Sequence, residues 1–546
     1  MSERFSTFKP WLLIALAWVL TRAIPLSQVV PGTFWDVGVT KKQLEYGFFA
    51  TKGAIINTHY MFGRVAEPAR FNYVNHPYPI LWCNTLACWL GGEWAVIAYT
   101  ALLGLAGCLA AFAALRRFYA EKESFWGAML FTVVPVNIVF NANPDQSGLA
   151  AIFWPFTVWA LARAREEATA GSAWLLGAVV FLSGQVSWSP YSFYPVLLLG
   201  ALGVAWERGR GLSWEPRPGL VKAVVLGTGL TVAVFLAQII FYTSDWSALT
   251  GYIGRQAGAE KGVGLPQMYV GIGLRAALSA GPALLLGSVA WLWLIPRWRR
   301  LDWLRLGAIC YPILYALCAL ALRRYFFRER HLYCYLSFPL LILTMETLRQ
   351  WPGRLWRGLL AVLAVGGLGY PLLQATIPVV SQTTLLLGRE IHALSQPEQV
   401  IATNLVPQQF PFAAWDVGSI GYLGQSADRN LRTDVANRAQ LEALPAAFKT
   451  RRLEVLYVFD PARPIDEALR QTLAAARPVR EWQFAVPEEP PSLALRLRSF
   501  YWKLAAKHRA PSAAGKAPEM TLRFFRLLLE SGADGTVTLA ITPEVR

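Results

Sequence analysis

The chain has 546 residues, of which 55% are hydrophobic and 13% aromatic, and it carries a formal net charge of +17. With a mean hydropathy of +0.36, a chain of this length is too apolar to be an ordinary soluble enzyme. The Lys and Arg residues are spread along the loops and do not cluster in one soluble segment, so the charge does not indicate a nucleic-acid partner.

Membrane-length apolar runs recur along the first 380 residues. A helix needs roughly 17 to 25 mostly apolar residues to cross the hydrocarbon of a bilayer, where the backbone must satisfy its own hydrogen bonds. The six cysteines lie in or beside these runs and predict neither a disulfide framework nor a zinc site. We therefore expect a polytopic α-helical membrane protein with about eleven spans. They are predicted near 11–30, 93–115, 125–141, 147–162, 172–188, 191–206, 219–243, 271–295, 304–322, 331–348 and 358–380.

The distribution of charge predicts the topology. If the N-terminus is cytoplasmic, the cytoplasmic loops carry more Lys and Arg residues than the outer loops, as the positive-inside rule requires. An odd number of spans then places the chain after about residue 381 outside the cytoplasm. This predicts a membrane module over 1–380, which includes a first outer loop over 31–92, and an extracytoplasmic domain over 381–546.

The first outer loop opens on "FWDVGVTKKQLEYGFF", residues 34–49. Asp36 precedes a helix-like stretch and could cap it, because its carboxylate can accept hydrogen bonds from the first backbone N–H groups. The same carboxylate could be a general base at the lipid–water boundary, where partial burial raises a carboxyl pKa. Lys41, Lys42 and Lys52 of this loop could act as point charges.

The loop ends on "FNYVNHPYPILWCNTLACWL", which contains His76 and Tyr78. Its last apolar piece, residues 80–90, is too short to span the membrane. We expect it to lie in the membrane interface, where aromatic side chains are favoured.

Asp145 lies in a short polar turn, "NANPDQSGLA", between the third and fourth spans. A carboxylate at the membrane edge is costly unless it is hydrogen-bonded or used in function. A turn built by the Asn-Pro-Asp sequence is the alternative interpretation. The predicted topology places Asp36 and Asp145 on the same side of the membrane.

The segment "RRYFFRERH", residues 323–331, breaks the charge rule, because it places four arginines and a histidine in an outer loop. Arginine binds phosphate through two parallel hydrogen bonds, so this segment predicts a site for a lipid phosphate. A basic loop that binds headgroups without a catalytic role is the alternative.

After residue 380 the composition becomes that of a soluble α/β domain. "QVIATNL" and "RLEVLYVFD" are typical of buried strands, "DEALRQTLAAARPV" of an amphipathic helix and "TVTLAIT" of a late strand.

The order of these parts resembles the bacterial GT-C membrane glycosyltransferases related to protein O-mannosyltransferases and aminoarabinose transferases. In that family a long first outer loop opens on an acidic residue, here Asp36, and closes on a "YPPL"-like segment, here "HPYPIL" with His76 and Tyr78. A Pro-Asp turn follows the third span, here Pro144 and Asp145, and an Arg-rich entry precedes a late span, here "RERHLYCYLSFP". The stretch "WDVGSIGYLG" is similar to one in the family's outer domains. The family often has an Asp-Glu pair at the start of the first outer loop, and this chain departs from it by having Val37 after Asp36.

The resemblance implies a polyprenyl-phosphate-linked sugar as donor and an inverting displacement on the extracytoplasmic face of a bacterial inner membrane. Asp36 would be the base, and Asp145 is the second catalytic candidate. The substrate-binding candidates are Lys52, His76, Tyr78, Arg324, Arg328, Arg330 and His331.

Several points stay open at the level of sequence. The acceptor could be a glycan, a lipid or a protein, the sugar is undefined, and a divalent cation between separated carboxylates is possible in chemical terms. A membrane transporter or lipid flippase with an outer binding domain would also need many spans and charges near the membrane. A non-catalytic scaffold with an outer binding domain is a further alternative.

Overall fold

The computed structural model resolves the chain into two compact units. The first comprises Met1–Gln28, Val74–Thr376 and Leu504–Ala506, and the second comprises Val29–Tyr73, Ile377–Lys503 and Lys507–Arg546. The structure describes residues 2–26, 40, 43–44, 47–55, 77–140, 146–187, 189–242, 280–292, 300–321, 329–351, 353–376, 390–391, 393–395, 399–404, 430–432, 435–447, 450–485, 519–532 and 534–541.

The first unit is helical. Its described helices are α1 (Ser2–Leu26), α2 (Pro79–Leu115), α3 (Glu121–Thr132), α4 (Pro135–Phe140), α5 (Gln146–Glu167), α6 (Ala170–Gly184), α7 (Tyr194–Ala201), α8 (Pro218–Tyr242), α9 (Ala280–Trp291), α10 (Trp303–Ala321), α11 (Glu329–Gln350) and α12 (Arg354–Thr376). A 3₁₀ turn, Ser189–Phe193, precedes α7. Three short strands, β1 (Ala205–Glu207), β2 (Gly211–Ser213) and β3 (Arg300–Leu301), form a small antiparallel sheet.

Helix α5 is the centre of this unit, where it packs against α2, α6 and α11. Most of its described side chains are buried, including Leu149, Trp154 and Val158. Gly107 of α2 permits close packing, because a Cβ there would lie 2.5 Å from Cγ2 of Ile152. Small residues at such contacts are typical of helices that pack within a membrane.

Two described helices are long and apolar enough to cross a membrane, residues Trp94–Leu115 of α2 and Pro218–Tyr242 of α8. Shorter apolar helices occupy Ala170–Gly184, Ala280–Trp291 and Trp303–Leu314. All five lie within or overlap predicted spans. The total of about eleven spans stays a prediction.

Two predicted spans differ from the structure. The run 125–141 is broken between α3 and α4, because Pro135 has no N–H to continue the helical hydrogen bonding. The run 191–206 contains the end of the 3₁₀ turn, the eight-residue α7 and the start of β1. Helix α7 is about 12 Å long and therefore much shorter than the hydrocarbon core. Gly203, with φ of +61°, lies in the turn between α7 and β1.

The predicted interfacial piece 80–90 forms the first part of α2. Gly91 and Gly92 interrupt the helical backbone, and Gly92 has φ of +68°, a conformation that suits glycine. Trp89 and Leu90 are each 69% exposed, whereas Leu81 is fully buried. This piece therefore presents apolar side chains on both of its faces.

The loops predicted to be cytoplasmic meet at one end of the helical unit, which we call the basic end. Arg117 pairs with Glu166 across two of them. The ring of Phe118 contacts that of Trp303, with centroids 5.7 Å apart. Strand β1 pairs with β3, and so joins the loop after α7 to the loop before α10. If successive spans cross the membrane in alternating directions, every second loop must lie on the same side of it. The meeting of these loops at one end agrees with that requirement.

The second unit contains a six-stranded sheet. Its strands are β4 (Val400–Thr403), β5 (Asn430–Arg432), β6 (Arg452–Phe459), β7 (Arg480–Ala485), β8 (Glu519–Ser531) and β9 (Val537–Ile541). The order is β5-β4-β6-β8-β7, and β9 also pairs with β8. Strand β4 is parallel to β5 and β6, whereas β8 is antiparallel to β6, β7 and β9.

Helices α13 (Arg438–Glu442), α14 (Leu444–Ala447) and α15 (Glu467–Ala474) accompany this sheet. Asp466 caps α15 by accepting a hydrogen bond of 2.8 Å from the backbone N–H of Leu469. Leu469 belongs to a core that includes Tyr457 and Phe525. The strands and the helix predicted from sequence are present as β4, β6, β9 and α15.

Candidate functional site

Most of the site residues predicted from sequence lie outside the described part of the chain. These are Asp36, His76, Asp145, Arg324 and Arg328. Arg330 and His331 begin helix α11, and only their backbone is described. The two others, Lys52 and Tyr78, belong to different units. The structure therefore does not test whether the predicted site residues come together.

Lys52 lies in a tight turn of the second unit and has φ of +52°. The turn is closed by two backbone bonds, from Gly53 N–H to the Phe48 carbonyl at 2.8 Å and from Lys52 N–H to the Phe49 carbonyl at 3.0 Å. This pair of bonds is the Schellman arrangement that ends helices. The buried amide of Gln43 also donates to the Gly53 carbonyl at 2.8 Å. The turn thus holds the Lys52 backbone while its side chain is exposed.

Tyr78 is fully buried at the start of α2. Its backbone N–H donates to Oε1 of Gln238 at 2.8 Å, and its ring contacts that of Tyr242, with centroids 4.9 Å apart. Both partners lie in the last part of α8. The end of the first outer loop is therefore fixed to the end of α8 that is remote from the basic end.

The break between α3 and α4 collects two polar side chains that sequence reasoning missed. Fully buried Arg22 of α1 donates from Nη1 to the Thr132 carbonyl at 2.7 Å. The amide of Asn137 donates to the Phe131 carbonyl, which lies four residues before Pro135. Both carbonyls lie in the last turn of α3, where a cation is favoured. The Phe131 carbonyl accepts a long bond of 3.4 Å from the Val134 backbone N–H, because Pro135 has no N–H to donate.

Arg22 has the environment of a functional residue. Its guanidinium lies over the ring of Trp18, 5.4 Å from the ring centroid, inside the predicted first span. A buried arginine at that depth is costly unless it is paired or used. A single charge within the apolar run 11–30 was the sequence signal that could have identified it.

Asn84 is a second buried polar residue that sequence reasoning passed over. It is fully buried on the inner face of the first part of α2, and neither its Oδ1 nor its Nδ2 has a hydrogen-bond partner among the described residues. Buried amides are nearly always hydrogen-bonded in native structures. Asn84 can therefore offer one acceptor and two donor hydrogens to a polar group that enters beside α2.

The basic end is built differently, from ion pairs. Arg305 of α10 pairs with Glu346 of α11 at 2.8 Å, and their side chains are 14% and 8% exposed. Arg305 also pairs with Asp302 and lies over the ring of Tyr119, 5.6 Å from the centroid. Burial raises the pKa of Tyr119 well above its usual value, and the charge of Glu346 adds to that shift. The charges here are thus used to hold loops and helices together.

A metal site finds no support in the described residues. Within them, no group of three or more His, Cys, Asp or Glu side chains lies close enough together to hold an ion. The two candidate catalytic carboxylates, Asp36 and Asp145, lie outside the described residues.

Comparisons with known proteins identify the class of the molecule. Residues 75–210 match the family model of dolichyl-phosphate-mannose-protein mannosyltransferases. Comparison with curated proteins by sequence gives no match. The chain is similar to the oligosaccharyltransferase of Archaeoglobus fulgidus in its apo form, with 12% identity and a TM-score of 0.50 over 83% of this chain and 69% of that chain.

Two further structures are similar at lower scores. One is the archaeal oligosaccharyltransferase AglB of Archaeoglobus fulgidus in complex with an inhibitory peptide and a dolichol-phosphate, with 11% identity and a TM-score of 0.48 over 99% of this chain and 74% of that chain. The other is ArnT of Cupriavidus metallidurans bound to undecaprenyl phosphate, with 11% identity and a TM-score of 0.39 over 94% and 97%.

The family match and the likeness in fold confirm the resemblance to GT-C membrane glycosyltransferases. The prediction that the chain is a glycosyltransferase is confirmed with that resemblance, and the number of times that it crosses the membrane stays a prediction. The identity of its donor, its acceptor and its catalytic base is a separate question.

Proposed function

We propose that this glycosyltransferase moves a sugar from a polyprenyl-phosphate donor to an acceptor hydroxyl on the extracytoplasmic face of the membrane. The observation that carries the proposal is the match of residues 75–210 to a family described by its dolichyl-phosphate-mannose donor and its protein acceptor. The matched segment includes His76, Tyr78 and Asp145, three of the residues that the sequence assigns to the site. The acceptor class, whether glycan, lipid or protein, is left open.

The proposed reaction is an inverting displacement. The acceptor oxygen attacks the anomeric carbon, the bond from that carbon to the phosphate oxygen breaks, and polyprenyl phosphate leaves. Asp36 takes the proton of the attacking hydroxyl as general base. Because negative charge develops on the departing phosphate, preorganised cations near it lower the barrier. Arg328, Arg330 and His331 are the groups proposed for that role.

The break between α3 and α4 supports this arrangement. Helix α4 leads directly into the segment 141–145 that contains Asp145. Arg22 of α1 and Asn137 of α4 both donate to carbonyls on the α3 side of the break, those of Thr132 and Phe131 respectively. We propose that they position the Asp145 turn, and that Asn84 receives a hydroxyl of the sugar or the acceptor.

The location of the site on the extracytoplasmic face is supported by charge. The basic end gathers loops that are rich in Lys and Arg, as cytoplasmic loops are. The fixed end of the first outer loop, at Tyr78, lies at the other end of α8. We further propose that residues 381–546 form the extracytoplasmic α/β domain and that the host membrane is a bacterial inner membrane.

A donor screen tests the proposal. Membranes that contain the protein are incubated with a panel of radiolabelled polyprenyl-phosphate sugars, and transfer of label to a non-donor product is measured. We expect one or a few sugars to be transferred.

A pair of double variants tests the phosphate assignment. Arg328→Gln with Arg330→Gln should weaken donor binding. Arg354→Gln with Arg357→Gln, at exposed positions at the start of α12, should not. Equal loss in both variants would show general lipid electrostatics and would remove the phosphate assignment.

A further inference from the structure

A β-hairpin projects from the basic end of the helical unit. Strands β1 and β2 are joined by Arg208, Gly209 and Arg210, and the hairpin connects α7 to α8. Gly209 and Gly211 have φ of +85° and +79°, the left-handed values that a turn of this kind requires. We call residues 205–214 the basic hairpin.

The basic hairpin is fixed to the rest of the unit. Its first strand pairs with β3, so that Trp206 is opposite Leu301 and Glu207 is opposite Arg300. After the second strand, the backbone N–H of Glu215 donates to the Leu202 carbonyl at 3.0 Å. The side chain of Arg217 donates to the Arg165 carbonyl. The orientation of the hairpin is therefore set by main-chain hydrogen bonds to the ends of neighbouring helices.

The hairpin exposes large apolar side chains beside a membrane-crossing helix. Leu212 is 74% exposed and Trp214 is 77% exposed, and α8 begins four residues after Trp214. Trp174, near the start of α6, is 76% exposed. Tryptophan is enriched at the level of lipid headgroups, where its apolar ring is buried and its N–H is hydrated. Trp214 and Trp174 thus follow the pattern of an interfacial aromatic belt.

Arginines surround these apolar side chains. Arg210 and Arg300 both approach the Glu207 carboxylate, at 3.6 and 3.4 Å, and their side chains are 85% and 70% exposed. Arg208 is also exposed. Arg210 and Arg300 share the Glu207 carboxylate, and Arg208 adds a third guanidinium to the hairpin, so these four side chains carry a net positive charge close to the membrane boundary.

We propose that the basic hairpin binds the anionic phospholipid headgroups of the adjacent leaflet. Leu212 and Trp214 lie at the boundary between headgroups and acyl chains, while Arg208, Arg210 and Arg300 contact lipid phosphates. Arginine suits this role because its planar guanidinium donates two parallel hydrogen bonds to a phosphate. Anionic lipids at the cytoplasmic surface attract basic segments of this kind. The binding site is separate from the proposed glycosyl-transfer site.

The test is a lipid titration of the purified full-length protein in phosphatidylcholine-containing micelles. Phosphatidylglycerol is added, and the rise of the thermal unfolding midpoint gives an apparent affinity. Each arginine near an anionic surface contributes about a fivefold gain in affinity, so Arg208→Gln with Arg210→Gln should require roughly 25-fold more phosphatidylglycerol. Arg208→Lys with Arg210→Lys should respond nearly as the parent does. Arg452→Gln with Arg470→Gln, exposed arginines of the second unit, should leave the response unchanged.

The salt dependence of the lipid response and a variant of Trp214 provide two further tests. High salt should abolish the preference of the parent for phosphatidylglycerol, because exposed charges are screened. If the double Gln variant does not fold, Trp214→Ser should still weaken the lipid response severalfold. A parental response in the Gln and Ser variants, or equal stabilisation by added phosphatidylcholine, would overturn the proposal. No sugar donor is involved, so this outcome is independent of the glycosyl-transfer assay.

Discussion

At the basic end of the helical unit, Arg305 and Glu346 meet in an ion pair between two helices, whereas towards the other end Arg22 donates to a main-chain carbonyl at a helix break. The first arrangement neutralises charge within the protein and joins intact helices. The second places a cation and an amide at carbonyls in the last turn of a helix that ends just before a proline. The basic end is thus organised to hold loops together, whereas the other end has buried polar side chains at the helix break that precedes the segment 141–145.

The largest expected effect is at Asp36. Because Asn is also a good helix N-cap, Asp36→Asn should keep the stability of the parent within about 1 kcal/mol. It cannot accept a proton, so turnover should fall by roughly 10²- to 10⁴-fold while donor binding survives. Turnover and donor affinity are measured on the same purified variant.

The outcomes of the Asp36 experiment separate three roles. Near-parental turnover would remove the base assignment and make Asp145 or Glu45 the next candidate. Joint loss of donor binding and turnover would indicate that Asp36 positions the sugar or a metal ion.

The next effect concerns the basic end and should be one of stability. Arg305→Gln leaves Glu346 buried without its cation, and removal of one member of a buried pair costs about 3–5 kcal/mol. Thermal unfolding in micelles measures the loss, and Arg305→Lys should recover part of it. Turnover per folded molecule should stay close to that of the parent. A loss of turnover comparable to that of Asp36→Asn would mean that the two ends do not differ in function.

A smaller effect is expected at the helix break. Arg22→Gln removes the donor to the Thr132 carbonyl and should cost about 1–3 kcal/mol. Because α4 is followed directly by the segment 141–145, which contains Asp145, we also expect turnover to fall by about tenfold, with donor affinity retained. Arg22→Lys, which keeps the charge, should retain more of both properties. If Arg22→Gln lowers stability alone, its role is structural and the positioning proposal is wrong.

The smallest effect is expected at the exposed pair between Arg117 and Glu166. Their side chains are 32% and 49% exposed, so solvent screens the attraction between them. Glu166→Gln should change the free energy of unfolding by less than about 1 kcal/mol and leave turnover unchanged. A loss as large as that of Arg305→Gln would show that exposed pairs, rather than the buried pair, hold the basic end together.

The sequence predicts the position of a continuous apolar helix well, but it predicts poorly where an apolar run is interrupted. The predicted span 219–243 and helix α8 agree within one residue at each end, because the run is strongly apolar over its whole length and contains no internal proline. The run 125–141 was equally apolar, and hydropathy does not register that Pro135 lacks an N–H. Arg22 was missed for a related reason, since one charge changes the mean hydropathy of its run very little.

The second unit shows the same limit for strands. Strand β6 was predicted because its Val and Tyr residues are typical of buried strands. Strand β8 was missed, although it is the longest. Its sequence "EMTLRFFRLLLES" is rich in Leu with arginines three apart, and its strand structure depends on pairing with β6, β7 and β9. Most of the predicted site, including Asp36 and Asp145, lies outside the described residues and stays a prediction.

A glycosyltransferase and a lipid flippase differ in the fate of the bond between sugar and phosphate. The purified protein is placed in liposomes with a donor labelled separately in its sugar and its polyprenyl chain, together with a membrane extract as the source of acceptor. We expect free polyprenyl phosphate to form as the sugar label moves to another molecule, and we expect Asp36→Asn to slow this cleavage by roughly 10²- to 10⁴-fold. A donor that crosses the bilayer with its sugar still attached would contradict glycosyl transfer and identify a flippase.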